Sequence, residues 1–99
     1  MSAIPPVGGV VQSGLTTFLT TGSYTTSLSL RVANFSGTAA GYNLYLNGIL
    51  RVVNYIIQPS SYVDIERGLK LPPGTAIAHD ASANNALQWC LTGMQDDGS

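Results

Sequence analysis

Short stretches of alternating apolar and polar residues, separated by turn signals about every ten residues, constrain this chain most strongly. Leu28, Leu30 and Val32 point to one side of a predicted strand, and the residues between them point to the other. Asn47-Gly48 joins two such stretches and favours a type I′ hairpin, because both of its residues tolerate a positive φ. No helical pattern exceeds one turn. The sequence therefore predicts an all-β protein: an antiparallel β-sandwich of about seven or eight strands, with immunoglobulin-like or jelly-roll topology.

The length of 99 residues allows one small domain. Residues 1–14 are predicted to form an extended N-terminal arm, since two adjacent prolines exclude helix and three glycines add freedom. This segment has no basic start and does not resemble a signal peptide. Residues 15–95 are predicted to form the sandwich, and residues 96–99 a polar C-terminal tail.

The arm is expected to lie on a neighbouring molecule by strand addition, in which main-chain hydrogen bonds supply affinity without charge. Its truncation over residues 2–11 is expected to weaken assembly and leave the sandwich folded. Its predicted partner contacts are Ile4, Pro5, Pro6, Val7, Val10 and Val11.

Inward-facing positions of the alternating stretches form the predicted core. They are Leu28, Leu30, Val32, Leu44, Leu46, Val63, Ile65, Ile77, Trp89 and Leu91. Residues 49–58 (ILRVVNYIIQ) differ because they are apolar on both faces, which is typical of a central strand or of an oligomer contact. Possible oligomer contacts are Tyr45, Ile49, Val53, Tyr55 and Ile57.

Charged residues make up only 9% of the chain, against about 25% in an ordinary soluble domain. The net charge of −1 gives no basic field for nucleic acid or an anionic membrane surface. No apolar stretch is long enough to cross a bilayer. A surface of hydroxyls, amides and apolar atoms suits burial against copies of the chain or a partner, because few charges need desolvating. The alternative is a monomer kept soluble by Ser, Thr and Asn.

The inventory of reactive side chains argues against an enzyme. Cys90 cannot form an internal disulfide, and one cysteine cannot build a Cys-rich zinc module. A Cys90–His79 nucleophile pair is conceivable, but no third group orients it, and a cysteine beside Trp89 in a strand is more often core filler. His79 and Asp80 are expected at a polar hairpin tip, with too few ligands for a metal.

Asp64 and Glu66 lie two residues apart and are expected to face the same way on a strand. Such a pair could serve acid–base chemistry or bind calcium, but a solvated face with Arg67 as ion-pair partner is favoured, because calcium needs more oxygen ligands. We predict no catalytic residue, no cofactor and no metal. Asn34-Phe35-Ser36 matches the glycosylation sequon, which we interpret as chance. The tyrosines and Trp89 could form a sugar-stacking face, although core and interface roles are commoner; the five tyrosines are Tyr24, Tyr42, Tyr45, Tyr55 and Tyr62.

Three segments carry a family resemblance. They are residues 32–40 (VANFSGTAA), residues 63–77 (VDIERGLKLPPGTAI) and residues 81–87 (ASANNAL). On these segments, residues 24–94 resemble a β-sandwich module of tailed-bacteriophage virion proteins. The module often ends in a charged residue after "I-x-V", where this chain has Ala78-His79-Asp80.

The resemblance implies a structural virion protein and supplies no catalytic residues. The small size favours a capsid decoration (cement) protein, made in the host bacterial cytoplasm and located on the capsid exterior. Its expected partners are the major capsid protein or other virion proteins, and its own copies in a homo-oligomer, with a trimer favoured; neither nucleic acid nor membrane is expected. The alternative is a tail- or fibre-associated adhesin that binds a host glycan or receptor. A lone enzyme domain is a third, less favoured reading.

Overall fold

A computed structural model describes residues 2–96, and of Ser2, Pro5 and Asp96 it describes the backbone only. The described chain consists of strands and connecting turns, and none of it is a helix long and apolar enough to cross a membrane. The strands are β1 (Ser2–Val10), β2 (Thr16–Thr20), β3 (Thr25–Asn34), β4 (Ala40–Leu46), β5 (Ile49–Ile57), β6 (Tyr62–Leu71), β7 (Ala76–Ala81) and β8 (Leu87–Asp96). The predicted all-β class is confirmed.

Two antiparallel sheets of four strands each enclose the core. The first sheet has the order β1-β8-β3-β6, and the second has the order β2-β7-β4-β5. Every pairing within the sheets is antiparallel. The edges are therefore β1 and β6 in the first sheet, and β2 and β5 in the second.

The predicted N-terminal arm is extended, but it lies within the sandwich. Residues 2–10 pair with β8 as the edge strand β1, with Val7 opposite Leu91 and Val10 opposite Gln88. Val11 is fully buried in the core, and its backbone N–H donates to the Leu87 carbonyl at 2.9 Å. The expectation that residues 2–11 can be removed without loss of the fold is therefore revised. Of the predicted polar tail, Asp96 ends β8, and residues 97–99 lie outside the described residues.

The core confirms most of the predicted inward positions. Seven of the ten predicted residues are buried, namely Leu28, Leu30, Val32, Leu44, Ile77, Trp89 and Leu91. The other three, Leu46, Val63 and Ile65, are partly buried and pack against that cluster. The predicted core did not include four of the most deeply buried side chains, those of Val11, Tyr42, His79 and Leu87.

The Asn47-Gly48 hairpin is confirmed. Asn47 has a φ of 51° and Gly48 a φ of 79°, as a type I′ turn requires. The Asn47 side-chain Oδ1 also accepts a hydrogen bond from the Ala76 backbone N–H at 2.9 Å. The turn thus fixes the β4–β5 register and ties it to the start of β7.

His79 lies in the core and not at a polar loop tip, because β7 continues to Ala81. Its Nδ1 is 2.8 Å from the Tyr42 hydroxyl, and its ring stacks on Phe18 at 4.1 Å. Trp89 of the opposite sheet meets the imidazole edge-on at 5.8 Å. Burial disfavours the charged form and lowers the pKa of His79 to about 4, so the ring is neutral at pH 7.

Asn34 in the sequon is a structural residue. Its side chain is buried, and its Nδ2 donates to the carbonyls of Thr38 at 2.9 Å and Ile57 at 2.8 Å. Its Oδ1 accepts from the Ser36 N–H and hydroxyl. These bonds close the turn after β3 and explain why strand alternation stops at Asn34.

Candidate functional site

Several exposed apolar side chains follow the edge strand β5. We define the β5 strip as the side chains of Ile49, Leu50, Val53, Tyr55 and Ile56. Ile49 and Val53 are 72% and 70% exposed, and the other three are between 43% and 49% exposed. A group of large apolar side chains exposed on one strand of a folded domain is typical of an interaction surface.

The strip shares Ile49, Val53 and Tyr55 with the predicted oligomer contacts and differs from them in four residues. Ile57 is wrong as a surface contact, because it is buried in the core opposite Ala40. Tyr45 is partly buried, and its hydroxyl donates to the Asp80 carboxylate at 3.2 Å. Leu50 and Ile56 were missed, although the run of apolar residues on both faces of residues 49–58 signalled them.

Irregularities in β5 decide how the strip can bind. The β4–β5 register shifts twice, on either side of the Leu44–Val52 pair. Asn54 has a φ of 44°, and its backbone N–H donates to Asn43 Oδ1 at 2.7 Å. Bulges at a sheet edge interrupt the ladder that an added strand would need. The strip therefore offers side chains for packing, in preference to a backbone edge for strand addition.

The arm residues predicted as partner contacts divide into three groups. Val11 is core, and Ile4 packs against the core from the sheet edge. Pro6, Val7 and Val10 are exposed, which leaves them available at the outer edge of the first sheet. Pro5 belongs to strand β1, and its side chain lies outside the described part of the molecule.

A second feature is a groove on the outer face of the first sheet, which we call the arginine groove. It has a volume of about 440 Å³. Small side chains from β3 and β8, those of Ser29, Cys90 and Thr92, contribute to its lining. Arg31, Asp64, Glu66 and Arg67 complete it, together with Leu30.

The carboxylates of the groove are already engaged by arginines. Asp64 accepts from Arg31 Nε at 2.8 Å and from Arg67 Nη2 at 2.9 Å. The hydrogen bond from Arg31 has the largest effect, and together with the one from Arg67 it lowers the pKa of Asp64 below its usual range. Partial desolvation acts in the opposite direction but does not cancel this effect. Glu66 accepts from two nitrogens of Arg51 on β5, with Nη2 at 3.2 Å from Oε1.

Asp64 and Glu66 both border the arginine groove, but they are not the equivalent positions of one strand face that the sequence predicted. A register shift in the β3–β6 ladder places Asp64 opposite Arg31 and Glu66 opposite Leu30. Glu66 consequently meets Arg51 of the other sheet, while Asp64 stays on the outer face. The predicted ion pair with Arg67 is present at Asp64.

Neither reactive residue forms a catalytic arrangement. Cys90 is exposed on the outer face of the first sheet, so its interpretation as core filler is wrong. His79 lies between the sheets, so the first sheet separates the two side chains. Among residues 2–96, no three His, Cys, Asp or Glu side chains come together as a metal site.

Comparison with known proteins adds no family. No model of a known protein family matches this chain, and no curated protein is significantly similar to it.

Proposed function

We propose that this protein is a structural, non-enzymatic component of a tailed-bacteriophage virion, a decoration protein that binds the outside of the capsid. The observation that carries the proposal is the β5 strip, five large apolar side chains exposed along one sheet edge. Exposing these side chains to water costs about 25 cal/mol for each Å² of apolar surface. Covering the strip with another copy of the chain recovers that free energy.

The low number of charged residues in β5 also favours association between copies of the chain. Arg51 is the only charged residue within β5, and Glu66 neutralises it. A contact between two strips would therefore desolvate little unpaired charge, and unpaired buried charge is what most opposes association. We assign the strip to contacts between copies, in a cyclic oligomer for which a trimer is favoured.

The strand order supports the jelly-roll alternative among the two predicted topologies. Sheets ordered β1-β8-β3-β6 and β2-β7-β4-β5 alternate early and late strands, as two nested Greek keys do. Jelly rolls occur in viral capsid and lectin domains. Proteins with this fold have many different functions, so the fold alone does not support the proposal. It rests on the exposed β5 strip and on the sequence resemblance.

A decoration protein acts by mass action. It binds the assembled shell and not the separated capsid subunits, so its binding free energy adds to the stability of the shell. An oligomer seated on a local symmetry axis would bridge adjacent capsid subunits. This role requires rigid contact surfaces and no cofactor.

The strip is tested with Val53→Asp, which places a charge in the centre of the contact. Size-exclusion chromatography with light scattering should show an oligomer for the wild type and a Kd for association about tenfold weaker or more in the variant. Leu15→Asp is the matched control, because Leu15 is 60% exposed and lies outside β5. Equal association of all three proteins would overturn the assignment of the strip.

The capsid role is tested by co-sedimentation with empty heads of the phage that encodes the chain. Saturable binding supports decoration. A protein that ignores heads but binds glycans of the host surface would overturn the proposal in favour of the adhesin.

A further inference from the structure

All four basic residues of the chain lie on one side of the sandwich. Arg31 is on β3, Arg51 on β5, and Arg67 and Lys70 are on β6. These three strands carry two carboxylates, Asp64 and Glu66, so this side is positive although the chain has a net charge of −1. One of the two excess positive charges lies at the arginine groove, and the other is that of Lys70, outside it.

The charges of the groove can be assigned individually. Glu66 is matched by Arg51, which reaches it from the opposite sheet. Arg31 and Arg67 share the single carboxylate of Asp64. One positive charge therefore remains at the groove, on guanidinium groups that are 53% and 81% exposed.

The hydrogen-bonding groups of the groove are predominantly donors. Each oxygen of Asp64 and of Glu66 already accepts one hydrogen bond from an arginine nitrogen. Ser29 Oγ accepts from the Gly68 N–H at 3.1 Å, which leaves its hydroxyl proton to donate. In the described residues, Arg31 and Arg67 each use one nitrogen for Asp64, and their remaining N–H groups make no further hydrogen bond to the protein.

A groove of donors with one excess positive charge selects an anionic acceptor. A neutral sugar offers hydroxyls that need acceptors as well as donors, and here the carboxylate acceptors are engaged. A phosphate carries about −1.5 to −2 charges, more than the groove balances. A carboxylate carries one charge and fits the planar fork of a guanidinium.

We propose that the arginine groove binds a carboxylate side chain from an acidic segment of the protein that this chain decorates. The inference deepens the proposed function, because a capsid subunit is the protein partner. Arg67 is the main ligand, since it is the more exposed arginine and can turn to a second carboxylate while Arg31 retains Asp64. Arg31 is held in place from its other side by Tyr62, whose ring centroid is 4.3 Å from the guanidinium carbon.

The test is an NMR titration of the isotope-labelled full chain with an acetylated, amidated tetraglutamate peptide. The Nε–Hε signals of Arg31 and Arg67 and the amide signals of Cys90 and Thr92 should shift saturably. Tetraglutamine of the same length should leave them unchanged. Equal shifts with both peptides, or none with tetraglutamate, would overturn the proposal.

Two variants distinguish binding in the arginine groove from nonspecific attraction between the peptide and positive charge. Arg67→Gln should weaken tetraglutamate binding about threefold to tenfold. Lys70→Gln removes a cation from the same strand outside the groove and should change the Kd less than twofold. An equal loss in both variants would contradict a defined site. Tighter binding of a uronate oligosaccharide than of tetraglutamate would also contradict it and assign the groove to acidic glycans.

Binding to heads distinguishes the failure of this inference from the failure of the proposed function. If Arg67→Gln binds heads as tightly as the wild type, the groove is not the contact and decoration stands. If the wild type binds tetraglutamate but not heads, decoration falls and the carboxylate site stands.

Discussion

At the scale of single residues, His79 is the most consequential titratable group. It is enclosed by Tyr42, Phe18 and Trp89, which come from three different strands. Tyr42 is held protonated, since burial, reinforced by the Asp80 carboxylate, raises its pKa. The hydroxyl and the imidazole therefore form a neutral pair that satisfies both polar groups inside the core.

This environment predicts a loss of stability in mild acid. The unfolded chain binds a proton at His79 below about pH 6.5, whereas the folded chain binds it only below about pH 4. The contribution of His79 to the free energy of unfolding should fall by about 3 kcal/mol between those pH values and level off beneath them. Urea denaturation at pH 7, 5.5 and 4 measures this change.

The chain has one histidine, so its imidazole signal can be followed directly by NMR in the folded state. A folded-state titration near pH 6.5 would contradict the prediction. Asp64 does not obscure the result, because its pKa lies below its usual range and its contribution is lost only at lower pH.

At the scale of strands, β1 decides whether the N-terminal segment is an appendage or part of the fold. Deleting residues 2–10 would remove one of the two partners of β8, leave β8 as the sheet edge and uncover Val11 and Trp89 there. We expect a loss of about 2 kcal/mol or more, which corresponds to a fall in Tm of about 8–16 °C. Differential scanning calorimetry measures it.

A double variant, Val7→Ser and Val10→Ser, is the control for this deletion. Both side chains are exposed, and the substitutions keep the backbone pairing with β8. Its Tm should stay within about 4 °C of the wild type. If the deletion of residues 2–10 left the Tm unchanged, this segment would be a free arm and not a part of the fold.

Strand-level features were predictable where they depend on local chemistry. The Asn47-Gly48 turn and the alternation of Leu28, Leu30 and Val32 need only neighbouring residues to define them. The burial of His79 depends on Phe18, Tyr42 and Trp89, which are distant in sequence, so the residues next to His79 gave no sign of it. Asp64 and Glu66 were misplaced because a register shift is a property of two paired strands, not of one.

The candidate site was predictable to a similar extent. The apolar run on both faces of residues 49–58 was compatible with a central strand or with an oligomer contact. The sheet order places this run at an edge, where its apolar side chains are exposed. The arginine groove was not predicted, since it assembles residues from β3, β6 and β8 that are brought together only by the order of the first sheet.

At the scale of the whole molecule, the two candidate contact surfaces are neighbours. Arg51 of β5 bonds Glu66 of β6, and this ion pair connects the β5 strip to the arginine groove across the open side of the sandwich. An oligomer joined through its β5 strips would hold several grooves in fixed positions. Such an arrangement raises the effective concentration of each groove at the shell once one is bound.

This arrangement predicts how a decorated head responds to heat. A decoration protein that binds only the assembled state, as proposed above, should stabilise the shell by about 2.7 kcal/mol per occupied site when the free protein is at a hundred times its Kd. The melting temperature of heads, measured by calorimetry, should rise with the logarithm of added protein once sites are filled. Val53→Asp should need higher concentrations for the same rise, because its copies bind singly. Binding that saturates while the melting temperature of the heads stays constant would mean that the protein binds the separated capsid subunits as tightly as the shell, which would contradict the proposed mass-action role.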